Sequence, residues 1–338
     1  MHAKHGYVLL PQPIEAEAHA LFEKRGIETV LAKDPKPETV APLLEKADAV
    51  VLRTGIRLDG ELLSNAGLLR HISRTGAGVD NVDLDAATER GVIVTSSVGV
   101  NTASVIEHSV ALMFALFKQL PLMDRETRLN NFGIRYKNYP RDVKGKCLGV
   151  VGFGRIGSSF AELCHKTFRM RVVAHDPYLD ESAKERSRSW AEFLSLEEVF
   201  RRADVVSIHI PLTAQTKGLI GMEFFRLMRP GGFLINTSRG GVVREPDLAR
   251  ALGEKLLAGA GLDVFEKEPP DGENPLLRME NVILTPHTAA LTEECVLEMA
   301  VKAVERVVDL IEGYVPENVA NPGVLAQERW KGLKTRKE

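Results

Sequence analysis

Three charged side chains, each following an apolar run, carry the chemistry this sequence suggests. In GGFLINTSRGGVV, residues 231–243, the run Phe233 to Ile235 reads as a buried strand, and Arg239 follows it ahead of two glycines. A guanidinium keeps its charge at ordinary pH and grips a carboxylate through two parallel hydrogen bonds. Glycines beside it let another molecule approach the backbone. GLDVFEKEPP ends a second run and offers Asp263, Glu266 and Glu268, with Pro269 and Pro270 stiffening the turn. VILTPHTAA ends a third and offers His287, its approach fixed by Pro286. Reduction of a ketone by hydride leaves an alkoxide that needs a proton, and imidazolium is the natural donor near neutral pH. A carboxylate beside the ring favours that charged form. Singly, Arg239 and Glu268 read as solvated charges and His287 as a structural histidine. Together, near successive strand ends, they predict one site for hydride transfer on a 2-oxo or 2-hydroxy acid.

The hydride carrier has its own signal. CLGVVGFGRIGSSFAEL contains Gly152, Gly154, Arg155, Ile156 and Gly157 between an apolar strand and a helix. In that context the first glycine permits a tight turn, the second lets a pyrophosphate approach, and the third lets helix pack on strand. The phosphates would sit on free amides at the positive helix end. Asp176 follows Gly157 by 19 residues, at the end of RVVAHDPY. A carboxylate there accepts from both ribose hydroxyls and repels a 2′-phosphate, so the expected cofactor is NAD rather than NADP.

Strand ends need strands to hold them. Apolar runs at 7–10, 27–32, 48–52, 68–73 and 91–95 form one series. Runs at 147–151, 171–175, 204–210, 232–236, 258–262 and 282–284 form another. Helical patterns such as 14–25, 38–46, 155–167 and 245–252 lie between them. This alternation without hairpin signals predicts an α/β fold of parallel sheets covered by helices on both faces. Residues 101–120, opened by Asn101 or Thr102 as cap, read as one long buried helix, followed by polar sequence to 142. A junction near 101 and a second unit running to about 290 are expected. The last helix, 292–312, repeats Val296, Met299, Ala303, Val307 and Ile311 at a helical period and needs a partner surface that the pattern does not name.

Composition narrows the class. A chain of 338 residues is long for one core and comfortable for two domains. A formal net charge of −2 gives no general attraction to nucleic acid or an anionic membrane. The N-terminal apolar run is too short for a signal segment, and no run reaches membrane-spanning length. Cys147, Cys164 and Cys295 show no metal spacing, so no metal site is expected and a cytoplasmic location is.

TGAGVDNVDLDAATERGVIV, VVGFGRIG, HIPLTAQTKGLI, NTSRGGVV, GLDVFEKEPP and PHTAA, in that order, resemble the D-isomer-specific 2-hydroxyacid dehydrogenases over nearly the whole chain. The resemblance implies two doubly wound parallel-sheet domains with the active cleft between them. One is a flavodoxin-like substrate domain of residues 1–101 plus 291–338, and the other a Rossmann NAD-binding domain of residues 102–290. It implies that Arg239 binds the substrate carboxylate, that His287 is the acid/base and that Glu268 pairs with it. Pro211, Thr216, Thr237, Ser238, Asp263 and His287 would join the glycine loop and Asp176 in holding NAD. A homodimer through the nucleotide-binding half is implied as well. Two departures stand out: Ala289 or Ala290 where many members have glycine, and no tryptophan in RLNNFGIRYKNYPRD, the region of the dimer arm.

The acid itself is less legible. Gly76, Ala77 and Gly78 can present amides to a carboxylate, while Arg53 and Arg74 end strands nearby. They resemble the phosphate-reading arginines of phosphoglycerate dehydrogenases, which points to D-3-phosphoglycerate and 3-phosphohydroxypyruvate. Alternatively both are solvated or pair with local acids. The chain stops after the basic RWKGLKTRKE, so a short form without serine feedback through an added domain is expected. A glyoxylate or hydroxypyruvate reductase is the second reading, against which Asp176 counts, since many of those prefer NADPH. Formate dehydrogenase is disfavoured by Glu268, where that branch has glutamine. A non-catalytic NAD-sensing scaffold or corepressor is the third, and it would not need the trio.

Overall fold

Two series of parallel strands organise the chain, each in its own sheet. The structure, a computed structural model, describes residues 6–336. The start of the N-terminal segment read for a signal and the last two residues of the basic tail lie outside the described residues. The chain divides into two compact units, one running to Asn101 and resuming at Leu291, the other spanning Thr102–Ala290.

In the first unit the strands are β1 (Tyr7–Leu10), β2 (Thr29–Leu31), β3 (Ala47–Leu52), β4 (His71–Arg74) and β5 (Ile93–Thr95). Their order, β2-β1-β3-β4-β5, is all parallel and doubly wound, as expected of a flavodoxin-like sheet. Helices α1 (Ala16–Glu23), α2 (Pro37–Leu44), α3 (Gly60–Ser64) and α4 (Leu84–Glu89) connect them. Asp59 and Asp83 cap α3 and α4 by accepting the amides of Leu62 and Ala86.

The second unit holds β6 (Cys147–Val151), β7 (Arg171–His175), β8 (Ala191–Phe193), β9 (Val205–Ile208), β10 (Gly232–Asn236), β11 (Leu257–Leu262) and β12 (Val282–Leu284). Their order is β12-β11-β10-β9-β6-β7-β8. The chain winds outward from β6, then returns beside it at β9, and ligands bind at such a switch point. Its helices are α5 (Thr102–Lys118), α6 (Leu120–Arg128), α7 (Arg155–Phe168), α8 (Glu181–Ser187), α9 (Leu196–Arg202), α10 (Met222–Phe225) and α11 (Glu245–Gly253). The last helix, α12 (Glu293–Ile311), belongs to the first unit. There Ala300, Ala303, Val304, Val307 and Val308 pack with Val8, Leu10 and Val51 of the sheet and with Ala18 and Phe22 of α1.

Three expectations need correction. The helix expected over 101–120 breaks at Gln119, which adopts φ 52°, ψ 39°, and the chain bends 58° into α6. Pro121 opens α6 within its first two positions, where its missing N–H costs nothing but cannot continue the previous helix. The short strand β8 lacked an apolar run and was not expected. Ile311, placed on the buried stripe of α12, is 46% exposed in its final turn. Among the described residues no single helix is long and apolar enough to cross a membrane.

His71 is buried within the first sheet, and His209, just past β9 in the second unit, is half-buried. His71 meets Thr95 Oγ1 at 2.9 Å, and burial, with the charges of Arg306 and Arg70, pushes it down to about 3. His209 meets Ser207 at 2.9 Å, and burial pushes it down to about 4. Both fold as neutral rings. Below their ordinary 6.5 the unfolded chain takes up protons that the folded chain refuses, so stability falls with pH until those folded values are reached. Each contributes a loss of up to about 1.4 kcal/mol per pH unit. A melting temperature clearly lower at pH 5.5 than at pH 7.5 is expected by calorimetry; an unchanged one would contradict the neutral assignment.

Candidate active site

Register explains why the predicted trio converges. Asn236, Leu262 and Leu284 are paired neighbours at the carboxyl ends of β10, β11 and β12. Arg239 and His287 each follow by three residues, and Glu268 by six. His287 Nδ1 lies 2.7 Å from Glu268 Oε2. The carboxylate can only accept there, so Nδ1 carries the proton and Nε2 is left to exchange one with a substrate. Burial pushes the Glu268 carboxyl up, but the bonds from His287 and the Phe265 amide, with the charges of His287 and Arg239, outweigh it and hold the group below the usual carboxylate range. Both partners remain over a third exposed. An apolar recess of about 410 Å³ beside them is lined by Leu277, Leu284, Pro269 and Pro286 among others. Low polarity on that side strengthens the charged hydrogen bond.

Asn236 shapes the arginine loop, a role the sequence reading missed. Its amide donates to the Arg239 carbonyl at 3.0 Å, and its Oδ1 accepts from the amide and hydroxyl of Ser238. Arg239 itself donates to the Ser238 carbonyl at 2.7 Å. Gly240 lets this loop touch the next, because a Cβ there would fall 1.9 Å from the Phe265 carbonyl carbon. Gly240→Ala must therefore push the Arg239 loop off the Phe265–Glu268 turn. We expect at least tenfold lower kcat/KM, measured alongside a melting curve; wild-type kinetics would sink this reading of the contact.

Asp263, expected at the cofactor, holds a loop. Its side chain has no exposed surface. Oδ1 accepts from the Thr285 hydroxyl at 2.6 Å and the Thr288 amide at 2.8 Å, and Oδ2 from the Ala289 amide at 2.9 Å. Its carbonyl accepts the His287 amide at 2.8 Å. His287 sits at φ 55°, a left-handed backbone that needs such support. Glu266, the other acid of that turn, accepts the Glu245 amide at the start of α11 at 2.8 Å. His108 and Ser109 on α5 were also missed: His108 Nε2 lies 2.9 Å from Thr285 Oγ1, and Ser109 Oγ 3.0 Å from Thr237 Oγ1. The only sequence signal was polar residues on an otherwise apolar helix.

The glycine loop fits a dinucleotide. Gly152 has φ 90°, and a Cβ there would fall 2.6 Å from the His209 carbonyl oxygen. A Cβ at Gly157 would fall 2.0 Å from the Gly152 carbonyl oxygen, so helix and strand touch only through glycine. At Gly154 a Cβ would meet nothing within 4 Å, which is the room a pyrophosphate needs. Arg155 and Ile156 open α7, whose N-terminus has no side-chain cap, whereas α8 and α9 are capped by Asp180 and Ser195. Asp176 accepts the Phe153 amide at 2.8 Å and so stands against the glycine loop. Pro211 and Thr216 lie beyond β9, on the other side of the switch point, joined by a 2.6 Å bond from the Thr216 hydroxyl to the Pro211 carbonyl. Thr237 is 8% exposed and spends its hydroxyl on Ser109.

The expected substrate residues gather in the first unit. Arg53 follows β3 and donates to Glu15 at 3.0 Å and to the Pro13 carbonyl. Arg74 ends β4, is buried, and donates to Asn81 at 2.9 Å, while Asn81 donates to the Arg53 carbonyl. The Arg74 guanidinium lies 3.0 Å from where a Cβ on Gly76 would be, so it covers the start of the Gly76–Ala77–Gly78 turn. Arg306 on α12 supports this turn from beneath, donating to the Arg74 carbonyl and to Ser97.

The NAD binding domain of the D-isomer specific 2-hydroxyacid dehydrogenases matches residues 110–289. The chain is 37% identical over 315 residues, 93% of its length, to a D-3-phosphoglycerate dehydrogenase of Archaeoglobus fulgidus, but spans only 59% of that protein. It is 37% identical over 329 residues, 94% of its length, to a glyoxylate reductase of Thermococcus litoralis, spanning 97% of it. A D-lactate dehydrogenase of Aquifex aeolicus, solved with NAD and lactic acid, is 29% identical with a TM-score of 0.82, covering 91% of this chain and 96% of that one.

Proposed function

Because the chain belongs to the D-isomer-specific 2-hydroxyacid dehydrogenase family and carries its NAD-binding domain, we propose that it moves hydride between NAD and the C2 carbon of a D-2-hydroxy acid. The bound nicotinamide supplies or accepts that hydride. Arg239 holds the substrate carboxylate and orients the C2 oxygen. In the reducing direction His287 gives its Nε2 proton to that oxygen, and Glu268 keeps the ring oriented through Nδ1 and stabilises its charged form. The resulting alcohol leaves with one hydride and one proton gained, and His287 is recharged from solvent. The observation that carries this reading is the 2.7 Å pair of His287 and Glu268 with Arg239 close enough to stabilise the same carboxylate.

We take D-3-phosphoglycerate and 3-phosphohydroxypyruvate as the substrate pair, on the grouping of Arg53, Arg74 and the Gly76–Gly78 turn. One observation favours glyoxylate or hydroxypyruvate instead: Arg53 already faces Glu15 at 3.0 Å, which offsets its charge. NADH consumption with 3-phosphohydroxypyruvate, hydroxypyruvate and glyoxylate decides between them. Arg53→Ala should raise KM for the phosphorylated acid far more than for glyoxylate; equal effects would remove Arg53 from phosphate binding. No turnover with any 2-oxo acid would overturn the enzyme reading.

Asp176 against the glycine loop supports selection of NAD. Asp176→Ala should shift the NADPH-to-NADH ratio of kcat/KM at least about tenfold toward NADPH, since it removes a charge facing the 2′-phosphate. An unmoved ratio would contradict that role. A cytoplasmic homodimer completes the proposal. Leu129, Phe132, Tyr136 and Tyr139, each at least 60% exposed on the segment after α6, are apolar enough to need a second copy. Sedimentation at twice the 37.2 kDa chain mass is expected, and a monomer would refute it.

A further inference from the structure

We infer that His108 of α5 is a positioning residue for His287, acting through a two-step hydrogen-bond relay. The inference rests on the acid/base role proposed for His287. The proton order in the relay follows from chemistry. Asp263 presents a carboxylate, so the Thr285 hydroxyl must give its one hydrogen to Oδ1, at 2.6 Å. Thr285 Oγ1 can then only accept, so His108, 2.9 Å away, must donate from Nε2. His108 Nε2 also lies 3.6 Å from Asp263 Oδ1, and the arrangement aims its N–H toward a fully buried charge.

That charge organises the loop on which His287 stands. Through its two carboxylate oxygens Asp263 takes the amides of Thr288 and Ala289, and through its carbonyl the amide of His287. Three successive amides after Pro286 are thus fixed to the one residue that follows β11. With His287 at φ 55°, this grip is what keeps the imidazole opposite Glu268. Turning Asp263 toward another partner would release Thr288 and Ala289 together. His108 and Thr285 are the groups that hold Oδ1 in its present direction.

The neighbouring residue makes a parallel tie. Ser109 donates to the Val105 carbonyl at 2.8 Å, so the Thr237 hydroxyl must donate to Ser109. Thr237 precedes Arg239 by two residues. One turn of α5 therefore secures the loop of the imidazole and the loop of the guanidinium to one rigid element. Nothing in the proton transfer itself uses His108, which places it outside the reacting atoms and in control of their geometry.

The test uses the full-length protein with NADH and the best 2-oxo acid found. Thr285→Val removes one hydroxyl at constant shape, and it should lower kcat about tenfold to a hundredfold with KM and NADH affinity within about threefold. Thr285→Ser, which restores the hydroxyl, should return kcat to within about threefold of wild type. His108→Phe should match Thr285→Val, and the double variant should be no worse than either, because the two act in one relay. Melting curves identify a variant that has merely lost its fold, and the isosteric valine then carries the test. Unchanged kcat in Thr285→Val, failure of serine to rescue, or multiplying losses would each overturn the inference. His287→Asn is measured in parallel. If it alone abolishes turnover, the relay is wrong while the acid/base role stands. If it retains wild-type turnover, that role itself has failed.

Discussion

Arg239→Ala lowers kcat/KM by about a thousandfold and leaves NADH binding intact. The expected size follows from the chemistry: truncating one partner of a desolvated charge pair typically removes several kcal/mol, or about three decades. The cofactor should be spared, because the glycine loop follows β6 while Arg239 follows β10, with β9 between them. Fluorescence titration with NADH measures the first half and steady-state kinetics the second. Arg239→Lys should recover little, since an ammonium cannot make the paired parallel bonds of a guanidinium. Full activity in Arg239→Ala would remove the carboxylate anchor from the proposal.

His287→Asn lowers kcat by about a hundredfold to ten-thousandfold, the range for loss of a general acid. Glu268→Gln should be milder, because the amide oxygen still accepts from Nδ1 and only the charge is lost. The direction of the Glu268 shift constrains the pH profile. Its carboxyl is held below the ordinary range, so the pair's stabilisation is complete above that range and fades only as pH falls through the folded value. Any break in kcat/KM between about pH 5 and 9 therefore belongs to another group. If such a break vanished in Glu268→Gln while kcat stayed high, the assignment of roles within the pair would be reversed.

Much of this site could be read in the sequence because its signals are local. Strands β1, β6, β7, β10 and β12 begin and end where the apolar runs do, most plainly β6 and β10, which are buried at every position and carry few polar residues to blur their edges. Arg239, Glu268 and His287 were legible for the same reason: each stands just past such a run, and parallel pairing brings those ends together. What stayed hidden depends on contacts between distant segments. The loop-holding role of Asp263 stayed hidden because nothing local reveals that three later groups, on Thr285, Thr288 and Ala289, point at it. His108 is 177 residues from its partner Thr285. Arg53 looked free until Glu15, 38 residues earlier, proved to be its neighbour. The break at Gln119 was a different failure, in which continuous hydrophobicity outweighed the proline that follows it.

The return of α12 to the first sheet sets an order of assembly. Ser73 of β4 donates to the Ala303 carbonyl across 230 residues, and one apolar layer of the unit is closed by side chains from that same helix. A ribosome must therefore complete all of Thr102–Ala290 before the amino-terminal sheet can be covered. The middle of the chain can gain protease resistance during synthesis while the earliest-made strands wait, half finished, for the last.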